Sequence, residues 1–259
     1  MDKLLIFNFI LLGIIAFVLW ASKKWIKSER HIKYLFIGAA IFTILFHYSS
    51  FIFRLISGTD AIEYLSQNPN LILPIYPCNV VMWSALIFGF LRNKKSKLGA
   101  FFADYLFWFG IISTLVGMFA NVDFIMNPTL LDYENVKSIV AHATLLFNVL
   151  LLPLFGYIKI DLKRNIINII ISILGMAAIG LYCNLVFSAL SSPEAAYNVN
   201  SMFLIHSPFE GIKFLKYPLI GGIAIPLYFG LFTICELFAY KKGNRYYNRF
   251  KNWLDTRKK

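Results

Sequence analysis

The chain has 259 residues, 59% of them hydrophobic and only 15% charged, with a formal net charge of +12. A soluble domain is about half apolar and about a quarter charged, so this composition excludes an ordinary soluble protein. The basic excess would suit nucleic acid, but its placement, described below, excludes that partner.

Seven apolar runs follow one another: Leu4–Trp20, Lys33–Ser57, Leu71–Leu91, Leu98–Asn121, Val136–Ile158, Asn165–Leu190 and Phe214–Tyr240. A helix needs about 20 mostly apolar residues to cross a hydrocarbon core of about 30 Å. Lipid satisfies no backbone hydrogen bond, so spanning segments are helices or a closed barrel, and these runs are too long and too uniformly apolar for barrel strands. The predicted fold class is all-α: a polytopic membrane bundle of seven transmembrane helices over residues 1–240, followed by a basic tail over 241–259.

The first run is followed by Lys23, Lys24, Lys27, Arg30 and Lys33, the third by Arg92, Lys94, Lys95 and Lys97, and the fifth by Lys159, Lys163 and Arg164. The tail holds a further basic group, from Lys241 to Lys259. The alternate loops, Gly58–Asn70 and Val122–Asn135, carry acidic residues and no Lys or Arg. Cytoplasmic loops collect Lys and Arg, so the alternation predicts an N-terminus outside and a C-terminus in the cytoplasm of a multi-pass cell-membrane protein, with anionic inner-leaflet headgroups as partners of the basic charge. In the tail, Tyr246, Tyr247, Phe250, Trp253 and Leu254 recur at three- and four-residue steps, which predicts an interfacial amphipathic helix. The first run resembles a signal peptide, but its basic residues follow the apolar stretch and no small-x-small cleavage site is evident, so it is expected to be retained. Three cysteines, Cys78, Cys183 and Cys235, make no disulfide framework.

Ionisable groups inside a membrane cost roughly 2.5–3.5 kcal/mol at the centre and are functional suspects. At about 1.5 Å per residue, His47 lies roughly 13 Å below the outer end of its helix, His142 and Asn184 roughly 9 Å, and Cys78 and Asn79 about 10–12 Å. Four helices thus place polar groups in the outer half. Arg54 follows His47 by two helical turns on the same face. It either snorkels to outer headgroups or anchors a substrate.

The third run opens Leu73-Pro74-Ile75-Tyr76-Pro77-Cys78-Asn79. Two prolines three residues apart do not fit inside a regular helix. Pro suits the first helical position, so the helix is predicted to start near Pro77, with residues 71–76 extended or re-entrant. Cys78 then falls in the first turn, where unpaired N–H groups and the helix dipole favour the thiolate, the reactive form of the side chain. A histidine near such a thiol completes a nucleophilic pair, and His142, with Ser138 one turn above it, is the better candidate base. A sulfur-to-imidazole separation of about 3–5 Å is expected for that pair. The competing reading is a buried packing cysteine beside a structural break, with His142 tying helices together. Asn184 shares a stripe with Ala177 and Gly180, which reads as close helix packing with the amide bracing a neighbouring loop or contacting substrate. Ser113, Gly117 and Asn121 form a similar stripe. Asp104 and Glu236 are expected at the membrane interface. No metal-ligand spacing or Gly-rich phosphate loop is present, and no cofactor or metal is expected.

At these residues the sequence resembles the YwaF-like family of bacterial membrane proteins, akin to the eukaryotic transmembrane-protein-164 family. The resemblance rests on Leu73 to Asn79, on Asn127-Pro128-Thr129-Leu130, on His142, and on Asn200-Ser201-Met202-Phe203-Leu204; Tyr76 stands where the family pattern has His. It implies a multi-helix fold in a bacterial plasma membrane and lipid acyl transfer through a Cys–His pair. Carried over, Cys78 is the nucleophile and His142 the base. The reading of the residues themselves adds His47, Arg54, Asn79, Asn184 and Asn200 as the expected substrate-binding set, with membrane phospholipid as the substrate. The function expected is therefore a membrane lipid acyltransferase or acyl hydrolase working in an outer-half cavity. The rivals are a transporter of lipids or small molecules, since broken helices at mid-depth build transporter sites, and a seven-helix binding protein without catalysis. A polar trail towards the cytoplasm would favour transport, and the sequence offers only Asn148 and Asn168 for one.

Overall fold

The computed structural model describes residues 2–119, 129–207, 217–241 and 244–257. Among these residues the chain is helical, without strands: α1 (Asp2–Trp25), α2 (Glu29–Ser57), α3 (Ala61–Gln67), α4 (Pro77–Phe90), α5 (Lys97–Phe119), α6 (Tyr133–Leu154), α7 (Leu162–Leu190), α8 (Pro193–Val199), α9 (Tyr217–Ala239) and α10 (Tyr246–Arg257), with 3₁₀ turns at Pro69–Leu71 and Ser201–Phe203. Five helices, α1, α2, α5, α6 and α7, are long and apolar enough to cross a membrane. Two shorter apolar helices, Pro77–Phe90 and Pro226–Ala239, fall in the third and seventh runs. The start of the last run lies outside the described residues, as do Asn121, Asn127 and Pro128.

Local chemistry sets the helix ends. The Ser28 hydroxyl accepts from the His31 N–H (3.2 Å), Asp132 accepts from Glu134 N–H (2.9 Å) and Asp161 from Arg164 N–H (3.0 Å), so each caps a helix start. Gly58, at φ 67°, closes α2 in the left-handed conformation that glycine adopts without a Cβ penalty. As the proline spacing predicts, α4 begins at Pro77, where a missing N–H costs nothing.

The core lies between α2, α4, α5 and α6. Trp108, Phe36, Phe88, Val81, Leu151 and Leu152 are buried in it. By contrast α1 turns Ile6, Phe9, Ile10, Ile14 and Phe17 outward, more than half exposed each. Such continuous outward apolar surface suits lipid rather than water.

The loops sort to two ends. At one end Tyr64 donates to Glu134 (3.0 Å) and Tyr133 to Ser49 (2.8 Å). At the other, basic end, Tyr157 donates to Glu29 (2.8 Å), Tyr240 to the Ile160 carbonyl (2.6 Å) and Lys23 to the Leu154 carbonyl (2.7 Å). The tail helix α10 docks there, its Tyr246 N–H donating to Glu236 (2.7 Å) while Tyr247, Phe250 and Leu254 stay exposed.

Two carboxylates differ from the sequence reading. Both Asp104 and Glu236, expected at the interface, are buried within the protein, each against a basic partner that only the tertiary fold supplies. Arg164 grips Asp104 with two nitrogens (2.8 and 2.7 Å) and Asn168 adds a third bond at 2.6 Å; Glu236 meets Arg249 at 3.3 Å. Removing one member of a buried pair strands the other. Asp104→Ala is therefore expected to cost about 3 kcal/mol, read as a lowered Tm of the purified protein, whereas Glu63→Ala, at an exposed site, leaves Tm within error.

Candidate functional site

The site is built where the break before α4 meets the loop after α8. Ile75 is buried, and its carbonyl accepts from Met202 N–H (2.8 Å) and from the Ser201 hydroxyl (3.2 Å). Asn184 of α7 clasps the same loop: its Oδ1 accepts from Ser201 N–H (2.8 Å) and its Nδ2 donates to the Ser201 carbonyl (3.3 Å). Asn200 closes the loop from within, accepting from the N–H groups of Ile205 (3.1 Å) and His206 (3.2 Å) and donating to the His206 carbonyl (2.9 Å). Asn184 and Asn200 thus hold the loop, and their polar atoms are occupied in doing so.

This loop is strained. Asn200, Met202 and Phe203 have φ of 45°, 53° and 54°, a region that L side chains enter at a cost of order 1–3 kcal/mol each. Asn tolerates it best, through short-range bonds of the kind Asn200 makes. The strain seats Met202, fully buried, against Gly180: a Cβ at Gly180 would stand 2.7 Å from Met202 Cβ. Phe203 stacks on Tyr76 with ring centroids 5.7 Å apart.

Cys78 occupies the first turn of α4, partly buried against the core, with the backbone N–H groups of Cys78 and Asn79 beside the sulfur. Asn79 is buried, and its Oδ1 accepts from Tyr76 N–H at 3.1 Å. His142 sits on α6, where its Nδ1 donates to the Ser138 carbonyl at 2.8 Å. That bond fixes the neutral imidazole with Nε2 as its free lone pair. The ring lies flat on α5 at Gly117, since a Cβ there would overlap His142 Cδ2 and Nε2.

Cys78 and His142 make no direct hydrogen bond. Helix register explains why. Gly110 touches Val81 of α4 and Val149 of α6, which sets one level, and Gly117 touches His142 two turns further out. Cys78 precedes Val81 by three residues and His142 precedes Val149 by seven, an offset of about 6 Å along the bundle.

His47 donates from Nε2 to the Asn70 carbonyl (3.4 Å), so Nε2 carries the proton. It is within electrostatic reach of His142 and of Lys137. Arg54 is not drawn into this group. Its Nη1 meets both oxygens of Asp60 at 2.7 Å and its guanidinium lies 4.5 Å over the Tyr64 ring, so it ties the end of α2 to α3. The residue that takes its place is Lys137, mostly buried, which pairs with Glu134 and donates to Tyr64 at 3.1 Å. The sequence held its signal: Lys137 is a basic residue inside a run on the otherwise acidic side, as Arg54 is. Of the two polar residues that lead toward the basic end, Asn168 donates to Asp104, and Asn148 is buried on α6 with no hydrogen-bond partner for its amide among the described residues.

These features define a helical membrane protein with a braced, strained loop against the start of α4, at the end opposite its basic face. The family model of the TMEM164 family matches residues 2–239, and the chain belongs to that family. No curated protein and no solved structure matches it.

Proposed function

We propose that the chain is a lipid acyltransferase or acyl hydrolase of the plasma membrane, and that within its family it stands with the YwaF-like bacterial proteins. In this reading α4 and α9 also span, the first lengthened by the extended residues before Pro77, giving seven spans with the N-terminus outside. The observation that carries the reading is Cys78 in a helix first turn, beside a loop held in left-handed backbone at Asn200, Met202 and Phe203.

Cys78 Sγ attacks the acyl ester carbonyl of a phospholipid. An S–C bond forms, the C–O bond of the ester breaks, and the leaving alkoxide takes the thiol proton through His142 Nε2. A lysolipid hydroxyl or water then attacks the thioester carbonyl and gives its proton to His142 Nε2; a new C–O bond forms, the C–S bond breaks, and the leaving thiolate recovers the proton. Asn79 Nδ2 and the N–H groups of the first turn stabilise the oxyanion. His47 and Lys137 face the phosphate and glycerol.

Purified protein in vesicles is expected to release or transfer a labelled acyl chain. Labelled lipid that crosses the bilayer intact, with no acyl release, overturns the enzyme and leaves the transport reading. For the topology, reporters fused at the two ends should fall on opposite faces; a cytoplasmic N-terminus removes one span or inverts the bundle.

A further inference from the structure

The basic end holds a cavity of about 490 Å³ between the first turn of α2, the 91–95 link and Tyr157. Five cations line it, Arg30, Lys33, Arg92, Lys94 and Lys95, against one carboxylate, Glu29. Among the described residues none of the five has a carboxylate within 4 Å, the ion pairs being Arg54–Asp60, Lys137–Glu134, Arg164–Asp104 and Arg249–Glu236. Glu29 accepts from Tyr157, on the same cavity wall, at 2.8 Å.

The cations are held ready. Lys94 donates to the Gly89 (2.9 Å) and Leu91 (3.0 Å) carbonyls, keeping one donor free, and Arg30 spends only Nε, on the Tyr34 hydroxyl at 3.3 Å. The link itself is pinned, because a Cβ at Gly99 would meet Lys94 Cα at 2.8 Å. Partial burial, and next the neighbouring Lys33, push the Lys94 ammonium below its ordinary pKa, while Glu29 acts in the opposite direction.

A second cavity adjoins the first. An apolar cleft of about 370 Å³ lies beside α2, with Leu35, Gly38, Ala39 and Phe42 on one side and Val18 and Phe147 on the other. Tyr34 lines both cavities. From Tyr34 to Phe42 the cleft follows α2 for about 12 Å, the length of several methylene groups of an acyl chain. A charged head next to an apolar channel of that length matches one chemistry.

We infer that the basic pocket and the apolar cleft meeting at Tyr34 form a single site for an anionic phospholipid of the adjoining leaflet, its phosphate among Arg30, Lys33, Arg92 and Lys95 and one acyl chain along α2. The site stands at the opposite end from Cys78 and does not rest on the acyl-transfer reading. Free phosphate esters share the head chemistry but have nothing to place in the cleft.

The test uses full-length protein reconstituted in phosphatidylcholine nanodiscs containing a few per cent phosphatidylglycerol, followed by native mass spectrometry to count retained phosphatidylglycerol. Each surface cation contributes about fivefold to anionic-lipid affinity, so the triple variant Lys33→Ala, Arg92→Ala, Lys95→Ala is expected to lose on the order of a hundredfold. Gly38→Leu fills the cleft without changing charge and is expected to lose about tenfold for the same lipid, in the range set by displacing a few buried methylene groups. Lys159→Ala, Lys163→Ala, Lys251→Ala removes three cations at the same end outside the pocket and should stay within about twofold. Equal loss in that control means a diffuse basic field and overturns the site. So does unchanged retention in Gly38→Leu, or displacement of the lipid by glycerol 3-phosphate as effectively as by dioctanoyl phosphatidylglycerol.

Discussion

Cys78→Ala is expected to abolish acyl turnover, with a fall of at least about a thousandfold, while the protein still folds. The thiol is the only group in the first turn of α4 that can form the acyl intermediate, and its side chain is small and only partly buried. Losing one sulfur there removes little packing, so Tm should shift by no more than a few degrees. His142→Ala is expected to slow acylation by about 10²–10⁴-fold, the usual contribution of a positioned base, while the thiol remains open to alkylation. The two variants therefore separate by labelling: a thiol-reactive lipid ester marks His142→Ala slowly and leaves Cys78→Ala unmarked. Full turnover by Cys78→Ala defeats the nucleophile assignment. Loss of folding in both variants instead of loss of chemistry would favour the packing role for these side chains.

Gly117→Ala should also have a large effect, although residue 117 carries no chemistry. An added Cβ overlaps the His142 ring, and the Ser138 carbonyl on the far side of the imidazole limits its retreat. Overpacking of this kind costs about 1–3 kcal/mol. Displacing a catalytic base by even about 1 Å costs on the order of a hundredfold in rate. The expected outcome is a folded protein with a modestly lowered Tm and about one per cent of parental turnover. Gly175→Ala is the matched control. A Cβ there meets nothing within 4 Å, and alanine is the better helix former, so stability and turnover should hold or rise slightly. Equal activity in the two glycine variants would show that His142 has no catalytic role.

Much of this architecture is legible in the chain because it depends on local pattern. The apolar runs mark the helices, and the Pro74–Pro77 spacing marks the start of α4 to the residue. Small residues on α7 mark the place where the Asn184 amide braces a loop, and the structure shows which loop. What the sequence withholds depends on partners distant in the chain. Asp104 reads as interfacial until Arg164, sixty residues away, is seen to bind it with two nitrogens. Arg54 and His47 share a helical face and read as one site, but Asp60, just past the end of the helix, takes the guanidinium away. Lys137 enters in its place. The left-handed backbone at Met202 and Phe203 leaves no mark in composition, because neither residue is one that favours it. The expected contact between Cys78 and His142 rests on matching depths, and helix register, which depth alone does not specify, sets them about one turn apart.

The most direct test of the account is the intact mass of the purified protein after brief exposure to a phospholipid with one isotopically labelled acyl chain. The account predicts an added mass equal to that acyl group, carried on the peptide containing Cys78, removed by neutral hydroxylamine and absent from Cys78→Ala. Lipid turnover that proceeds with no acyl group ever found on Cys78, or an acyl group carried at the same level by Cys78→Ala, would contradict it.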